Sequence, residues 1–259
     1  MNVMELLTLK GKVAVITGGS AGLGAQMATG LAEAGANVVI AARRIERCKD
    51  MGNRLETDHG VRAIPVACDV SKEEDCQNLV DLTVREFSKL DVLVNNAGNI
   101  WVADALDFPM DKWQKVMNLN LNGTFQLSMM AARVMKKQGK GKIINISSIG
   151  GFRGDFPENA NSVAYVASKG AILSMTKDLA VKWARHGITV NAICPGWFAS
   201  GMNDKHLKDM VTTLIPRIPL GRYGGNDDLK GLIVFLSSAA SDYITGQHVV
   251  VDGGKTVLA

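Results

Sequence analysis

The sequence has few residues of the types that metal binding, disulfide frameworks or export require. Its four cysteines form no Cys-x-x-Cys pair, and its four histidines have no spacing that suits a shared metal ion. No apolar run approaches the roughly 20 residues of a membrane span, and the first residues lack the basic and apolar regions of a signal peptide. We therefore expect a cytoplasmic protein that needs no metal and keeps its thiols reduced.

Charge is nearly balanced, and nothing divides the chain. The 29 basic and 25 acidic side chains leave a formal net charge of +4, which mildly favours a small anionic ligand. The densest basic segment, residues 136–142, contains no aromatic residue, which argues against nucleic-acid binding.

Because no linker, repeat or change of composition interrupts the sequence, we predict one domain over residues 1–259.

Short apolar segments rich in β-branched residues alternate with stretches of helical pattern. Runs that are apolar throughout suit strands buried on both faces, and alternation with helices implies parallel strands joined by crossovers. The sequence thus predicts an α/β fold with a doubly wound (Rossmann-like) seven-stranded parallel sheet and helices on both faces. The predicted strands are Val13–Ile16, Asn37–Ile40, Ala63–Val66, Val92–Val94, Ile143–Ile146, Thr189–Ile193 and Gln247–Val251.

One long irregular region follows the sixth predicted strand. It runs from about residue 196 to residue 226 and is broken by prolines and glycines. Loops of this length in compact domains are usually lids or binding loops. We therefore interpret this region as a substrate lid.

A glycine-rich turn, Thr17–Gly24, joins the first predicted strand to a helix. Such a turn lets backbone N–H groups and the positive end of the helix dipole approach a pyrophosphate. The alternative is a turn that only permits close packing of strand and helix. The residues predicted to bind the cofactor here are Gly18, Ser20, Gly22, Leu23 and Gly24.

The same turn also satisfies Gly-x-Ser-x-Gly, the nucleophile motif of serine hydrolases, with Ser20 at its centre. That hypothesis needs a histidine late in the chain, and His248 is the one available. A third possibility is a dinucleotide-binding module without catalytic activity.

The residues after the second and third strands bear on which dinucleotide binds. Ala42 stands where an acid would select NAD, and Arg43 and Arg44 follow it, as suits the 2′-phosphate of NADP. We predict NADP(H) as the preferred cofactor, with NAD(H) possible. Asp69, with Val70, would lie beside the adenine, although Asp69 or Ser71 could instead cap the next helix.

Tyr165 and Lys169 lie four residues apart on a predicted helix and therefore share one face. Hydride transfer to a ketone leaves an alkoxide that needs a proton, and a phenol can supply it where a cation stabilises the phenolate. The alternative is an exposed tyrosine and lysine on a solvated helix face.

Four segments together resemble the short-chain dehydrogenase/reductase family, and the resemblance covers nearly the whole chain. They are the glycine turn Thr17–Gly24, Asn95-Asn96-Ala97-Gly98, Tyr165-x-x-x-Lys169 and Pro195-Gly196. The resemblance implies a carbonyl or secondary-alcohol oxidoreductase, assembled as a homotetramer. Tyr165 would then be the acid or base, and Lys169 would stabilise the phenolate and bind the cofactor ribose.

The resemblance also implies roles for further residues. Ser148 would orient the substrate, with Ser147 as its neighbouring alternative, and Asn120 would hold a proton path to Lys169, with Asn118 and Asn122 as competitors. Further cofactor contacts are expected from Asn96, Ala97, Gly98, Pro195, Gly196, Phe198 and Ser200.

The substrate is only weakly indicated by the resemblance. Residues 152–159 form an apparent extra loop that we expect to shape the substrate pocket. The chain is most similar to the branch that contains 3-oxoacyl-thioester reductases and gluconate 5-dehydrogenase-like enzymes. A 3-oxoacyl thioester or a keto-sugar acid is therefore the expected substrate.

Overall fold

The computed structural model describes residues 2–156, 161–199 and 211–258, apart from the side chain of Val211. All seven predicted strands are present, some with longer ends: β6 extends through Pro195, which the sequence had suggested as part of a turn. The strands are β1 (Val13–Thr17), β2 (Asn37–Ala42), β3 (Ala63–Ala67), β4 (Val92–Asn95), β5 (Gly141–Ile146), β6 (Ile188–Pro195) and β7 (His248–Val251).

The strands form one parallel sheet in the order β3-β2-β1-β4-β5-β6-β7. The order reverses between β1 and β4, and ligands of such sheets bind beyond the carboxyl ends of strands at this point. The predicted fold class is confirmed.

Helices cover both faces of the sheet and connect its strands. They are α1 (Val3–Leu7), α2 (Gly22–Glu33), α3 (Ile45–His59), α4 (Glu73–Phe87), α5 (Met110–Met117), α6 (Thr124–Gln138), α7 (Val163–Trp183), α8 (Val211–Leu214) and α9 (Lys230–Ser237). A π-helical segment, Asn118–Gly123, joins α5 to α6. Within the described ranges no helix is long and apolar enough to cross a membrane.

Two apolar cores hold these layers together, one on each face of the sheet. Helices α2, α3 and α9 pack on one face, and α4, α6 and α7 pack on the other. Each large aliphatic side chain buried in this way contributes roughly 1.5–3 kcal/mol. Representative fully or nearly fully buried members are Leu31, Leu55 and Ile233 on the first face and Leu79, Leu127 and Leu179 on the second.

The region after β6 is less irregular than the sequence suggested. It contains α8 and a short 3₁₀ turn, Ile215–Arg217. Its two ends meet where the backbone of Gly224 donates to Trp197 O at 2.9 Å and accepts from Ala199 N at 3.1 Å. Residues 200–210 of the predicted lid lie outside the described residues, so its role as a lid stays a prediction.

Candidate active site

A cleft of about 450 Å³ opens at the carboxyl ends of the strands, where the order of the sheet reverses. It is bounded by the glycine turn after β1, the ends of β2 and β3, the segment after β4, and helix α7. Every predicted site residue within the described ranges lines it, apart from the buried Asn120. These residues are Gly18, Ser20, Gly22, Leu23, Gly24, Arg43, Arg44, Asp69, Val70, Asn96, Ala97, Gly98, Ser148, Tyr165, Lys169, Pro195, Gly196 and Phe198.

The glycine turn brings β1 and α2 so close that side chains cannot fit. A Cβ at Gly24 would lie 2.2 Å from the carbonyl oxygen of Gly18, and Gly18 itself has φ +64. Helix α2 begins at Gly22, and the preceding residue, Ala21, provides no side-chain cap. The N–H groups of its first turn therefore face the cleft without a capping side chain, as a phosphate site requires.

Thr17, the last residue of β1, ties this turn to the segment after β4. Its hydroxyl accepts the N–H groups of Asn96 and Ala97, both at 3.0 Å, and donates to Val94 O at 3.4 Å. The side-chain amide of Asn96 donates to Thr17 O at 2.9 Å. Asn96 thus fixes the wall of the cleft through its own side chain.

Three arginines lie at the end of the cleft beyond β2. Arg43 and Arg44 follow the strand, and Arg47, one helical turn later, also lines the cleft and was missed by the sequence reasoning. All three are exposed. Arg47 belongs to the first turn of α3, whereas Arg43 and Arg44 precede the helix, so helical spacing does not link the three arginines.

Asp69 lines the same cleft as these arginines and does not cap a helix. Its carboxylate accepts the N–H and the hydroxyl of Ser71, at 3.1 and 2.7 Å, and α4 is preceded by Lys72 without a side-chain cap. The alternative capping role for Asp69 or Ser71 is therefore wrong. Burial acts to raise the pKa of Asp69, but the bonds from Ser71 and the charge of Arg43 bring it below its usual value.

The π-helical segment places Asn120 in the interior while its neighbours stay at the surface. Asn120 is fully buried; its Oδ1 accepts Asn99 N at 2.9 Å, and its Nδ2 donates to Asn99 O at 2.9 Å and to Ser168 Oγ at 3.0 Å. Asn118 and Asn122 bond each other instead, in an exposed position. The structure thus singles out Asn120 from its two competitors.

Gly98 separates Asn120 from the reaction centre. A Cβ there would lie 3.3 Å from Asn120 Oδ1 and 3.6 Å from Lys169 Nζ. The absence of a side chain leaves the lysine and the buried amide facing each other across a small gap.

The serine after β5 that faces Tyr165 is Ser148. Its hydroxyl accepts Gly150 N at 3.1 Å and lies close enough to the Tyr165 phenol to act on its pKa. The hydroxyl of Ser147 points the other way and donates to the backbone oxygen of Lys169 at 2.8 Å. The extra loop between β5 and α7 therefore does not change which serine lies beside Tyr165.

Tyr165 and Lys169 both face the cleft from α7. The Lys169 ammonium lies 5.5 Å from the centre of the Tyr165 ring and donates to Ile146 O at 2.7 Å. Burial raises the pKa of Tyr165, and the bond from Ser148 partly offsets this effect. The phenol therefore stays protonated at neutral pH, as a proton donor must.

Burial lowers the pKa of Lys169 to about 8. Cys194, near the end of β6, interacts electrostatically with it; burial raises the pKa of this thiol to about 11, so the thiol stays neutral at physiological pH.

The segment after β6 closes the cleft on the side of Tyr165. A Cβ at Gly196 would lie 2.7 Å from the side chain of Asp252, and Phe198 is buried against Gly224. Trp197 and Phe198 both line the cleft. Ser200, predicted to bind the cofactor, lies outside the described residues.

The hydrolase hypothesis finds no catalytic geometry. Burial raises the pKa of the Cys48 thiol, and the nearby Ser20 partly offsets this effect. His248 lies on β7, at the edge of the sheet, with its ring 5.8 Å from that of Phe152. β1, which precedes Ser20, is in the middle of the sheet, so His248 does not lie beside this serine. Among the described residues no group of three or more potential ligands could hold a metal ion.

Three more cleft residues escaped the sequence reasoning as site residues: Asn99, Arg153 and Trp197. Two of them carry buried polar atoms without a partner in the described part of the protein, Asn99 Oδ1 and Trp197 Nε1. Both atoms are shielded from solvent, so other atoms of these two residues form the surface of the cleft. No sequence pattern marked the three residues, because only the fold brings them to the cleft.

Comparison with known proteins supports the same assignment. Residues 18–256 match the family profile described as enoyl-(acyl carrier protein) reductase. The chain is 42% identical to a 2-dehydro-3-deoxy-D-gluconate 5-dehydrogenase of Dickeya dadantii, over 97% of this chain and 98% of that protein. It is 37% identical to a 3-oxoacyl-(acyl-carrier-protein) reductase of Rickettsia felis, over 98% of this chain and all of that protein.

Among solved structures, a gluconate 5-dehydrogenase of Burkholderia cenocepacia in complex with NADP and tartrate superposes with a TM-score of 0.93. It is 37% identical and covers all of both chains. Together with the cleft geometry, these matches show that the chain is an oxidoreductase of the short-chain dehydrogenase/reductase family.

Proposed function

We propose that this enzyme interconverts a ketone and a secondary alcohol in a small polyhydroxylated acid, with NADP(H) as the preferred cofactor. The observation that carries the substrate assignment is the polar lining of the cleft near Tyr165. Ser148, Asn99 and Arg153 line the same cleft as Tyr165, and Arg153 carries a positive charge that suits an acid. An acyl chain would form no hydrogen bonds with these side chains.

The cleft suits a dinucleotide at its other end. The uncapped first turn of α2, beside the glycine turn, suits a pyrophosphate, and Asp69, Val70, Asn96 and Ala97 form the walls around it. Arg43, Arg44 and Arg47 suit a 2′-phosphate, and Ala42 provides no carboxylate to oppose it. NAD(H) would lack the phosphate contact and bind more weakly.

When bound, the nicotinamide supplies or accepts the hydride; the protein handles the proton. In the direction of reduction, Ser148 and Tyr165 polarise the carbonyl oxygen, and Tyr165 donates its proton to that oxygen. Lys169 stabilises the resulting phenolate, and its own hydrogen bond to Ile146 O holds it in place. In oxidation Tyr165 acts as the base.

Asn120 belongs to the proton path behind this centre. Its amide holds the backbone of Asn99 in place, and the side chain of Lys169 lies across Gly98 from its Oδ1. The position suits a proton leaving Lys169 toward the interior polar groups.

A 3-oxoacyl thioester remains the second candidate substrate, because the Rickettsia felis relative is a reductase of that class. The two candidate substrates differ in the charge and polarity of the part of the molecule that lies away from the reacting carbon. NADPH and NADH oxidation should be measured with 5-dehydrogluconate and with an acetoacetyl thioester. Faster turnover of the sugar acid with NADPH supports the proposal; turnover confined to the thioester contradicts the substrate assignment.

We extend the proposal to the compartment and the assembly. All four cysteines are free and buried, which suits the reducing cytoplasm. Phe125 on α6 and Val181 on α7 are 43% and 80% exposed, and apolar side chains on two neighbouring helices suit contacts in a homotetramer. Analytical ultracentrifugation tests this, and a monomer at micromolar concentration contradicts it.

A further inference from the structure

A loop with charges of both signs bounds the cleft beyond Ser148. Arg153 and Asp155 line the same cleft as Tyr165. The loop begins close to α7, since a Cβ at Gly151 would lie 2.9 Å from the carbonyl carbon and oxygen of Lys169. Arg153 therefore follows directly on a turn that is packed against the helix of the reaction centre.

Arg153 uses only part of its hydrogen-bonding capacity. Its Nη2 lies 3.0 Å from Asp155 Oδ2, and its Nε donates to Gly154 O at 3.3 Å. The Arg153 and Asp155 side chains are 26% and 19% exposed, so solvent screens this pair only partly. Within the described part of the chain Nη1 makes no hydrogen bond, which leaves a guanidinium donor for an anion.

A second cation lies near Arg153. Lys255, which is 9% exposed, interacts electrostatically with Arg153, Arg217, Asp155 and Asp252. Burial lowers the pKa of Lys255, and the charge of Arg153 lowers it further. An additional anion at this place would relieve the repulsion between Lys255 and Arg153.

Both carboxylates also accept backbone N–H groups. Asp252 accepts Gly254 N at 2.9 Å and Thr256 N at 2.7 Å, which holds it in the turn after β7. Asp155 accepts Phe156 N at 3.0 Å through Oδ1, while its Oδ2 pairs with Arg153.

We propose that Arg153 binds the carboxylate of the substrate and thereby selects acids over uncharged polyols. This inference rests on the proposed function, because it assigns the end of the substrate that lies away from the reacting carbon. Asp155 occupies one edge of the guanidinium, and the substrate carboxylate takes the edge that Asp155 leaves open. Arginine suits this task because its planar fork matches a carboxylate.

A binding experiment separates this role from a merely structural ion pair. D-Gluconate and D-glucitol differ only in that glucitol has a hydroxymethyl group in place of the carboxylate. Their affinities for the enzyme–NADPH complex are measured by calorimetry for the wild type, Arg153→Met, Arg153→Lys and Asp155→Asn. We expect Arg153→Met to weaken gluconate binding by roughly tenfold or more and Arg153→Lys by less, with glucitol and NADPH affinities unchanged.

The Asp155→Asn variant is the matched control. It removes the ion pair but keeps the cation, so gluconate binding should stay the same or strengthen. Equal losses for gluconate and glucitol in Arg153→Met, or the same loss in Asp155→Asn, would show that the pair only shapes the loop. A wild type that binds gluconate no better than glucitol also overturns the inference.

Turnover distinguishes this inference from the proposed function. If the wild type reduces 5-dehydrogluconate and Arg153→Met keeps the same KM, the carboxylate site is wrong and the proposed function stands. If the wild type reduces only the acetoacetyl thioester but binds gluconate through Arg153, the anion site stands and the proposed substrate is wrong. Thermal denaturation of each variant identifies any loss of binding or turnover that is due to unfolding.

Discussion

The side-chain amide of Asn120 pairs with both backbone polar groups of Asn99. Its Oδ1 accepts the N–H and its Nδ2 donates to the C=O, each at 2.9 Å, in a fully buried position. This pairing anchors the chain directly after Gly98, where the cleft meets Lys169. The π-helical segment produces it, since Asn118 and Asn122 on the same segment stay at the surface. Insertions of this kind in helices are frequent at functional sites.

Replacing Asn120 with alanine should destabilise the protein and slow turnover. The change leaves the N–H and C=O of Asn99 without partners, at a cost of about 1–3 kcal/mol for each buried group. The free energy of unfolding in urea and kcat are the measurements. Asn118→Ala is the control, because within the described residues its partly buried side chain bonds only Gln114 and Asn122. Equal effects of the two substitutions would contradict the assignment.

Replacing Tyr165 with phenylalanine should abolish most turnover and preserve cofactor binding. The variant keeps the ring beside Lys169 but has no proton to donate, and positioned acid–base catalysis contributes roughly 10²–10⁴-fold. Single-turnover rates and the Kd for NADPH are measured together. A Tyr165→Phe enzyme with more than about a tenth of wild-type kcat would remove the phenol from the mechanism.

Lys169 should make the stability of the cofactor-free enzyme depend on pH. Its pKa falls from 10.5 to about 8 on burial, so between these values the unfolded chain binds more protons than the folded one. Stability attributable to this group therefore rises with pH across that window, by up to about 3 kcal/mol. Below pH 8 the burial of the charged ammonium is unfavourable throughout.

The test compares the wild type with Lys169→Met by urea unfolding at intervals from pH 7 to pH 10. The methionine variant should have its greatest advantage at pH 7 and lose it progressively as pH rises, because it buries no charge. A difference between the two proteins that does not change with pH would show that the folded-state pKa of Lys169 is not depressed.

The arginines after β2 should determine the choice of cofactor. Removing the charge of Arg43 or Arg44 should lower the preference for NADPH over NADH by roughly 10- to 100-fold each, as expected for a lost charged hydrogen bond. The ratio of kcat/KM for the two cofactors is the measurement. Lys49→Ala provides the control, since this exposed lysine of α3 bonds Glu46 and does not line the cleft. An equal shift in the control would indicate only a general electrostatic effect.

A methyl group at Gly24 should prevent cofactor binding. Its Cβ would lie 2.2 Å from Gly18 O, so the glycine turn must move. The measurements are the Kd for NADPH and the melting temperature. In Gly24→Ala the Kd should rise and the melting temperature should fall. Gly231→Ala is the matched change in α9, where a Cβ meets nothing within 4 Å, and it should stabilise the protein by about 0.5–1 kcal/mol. Normal NADPH affinity in Gly24→Ala would contradict the close approach.

The order of the elements and most of the cleft lining could be predicted from the sequence, because these properties are local. Continuous apolar runs identify the strands, and glycines mark the turn that meets α2. Residues at the ends of parallel strands necessarily meet at one edge of the sheet, so Ser148 and Asn96 were predictable members of one site. Tyr165 and Lys169 share a helix face through their spacing alone.

Properties that depend on distant parts of the chain could not be predicted in this way. The pKa of Lys169 is lowered because its side chain is buried among elements that are far apart in the sequence. The neighbouring Cys194 belongs to β6, whereas Lys169 belongs to α7. Asn120 differs from Asn118 and Asn122 only because a helical irregularity turns it inward. Arg153 and Trp197 belong to loops whose course depends on packing against α7 and α8.

The sequence by itself determined the parallel sheet, the glycine turn and the spacing of the phenol and the ammonium, since each follows from residues close together in the chain. Only the tertiary structure decided which asparagine and which serine face the reaction centre, and which buried polar atoms lack partners. The reason is physical: burial, electrostatic fields and unsatisfied hydrogen bonds are properties of an environment assembled from many segments.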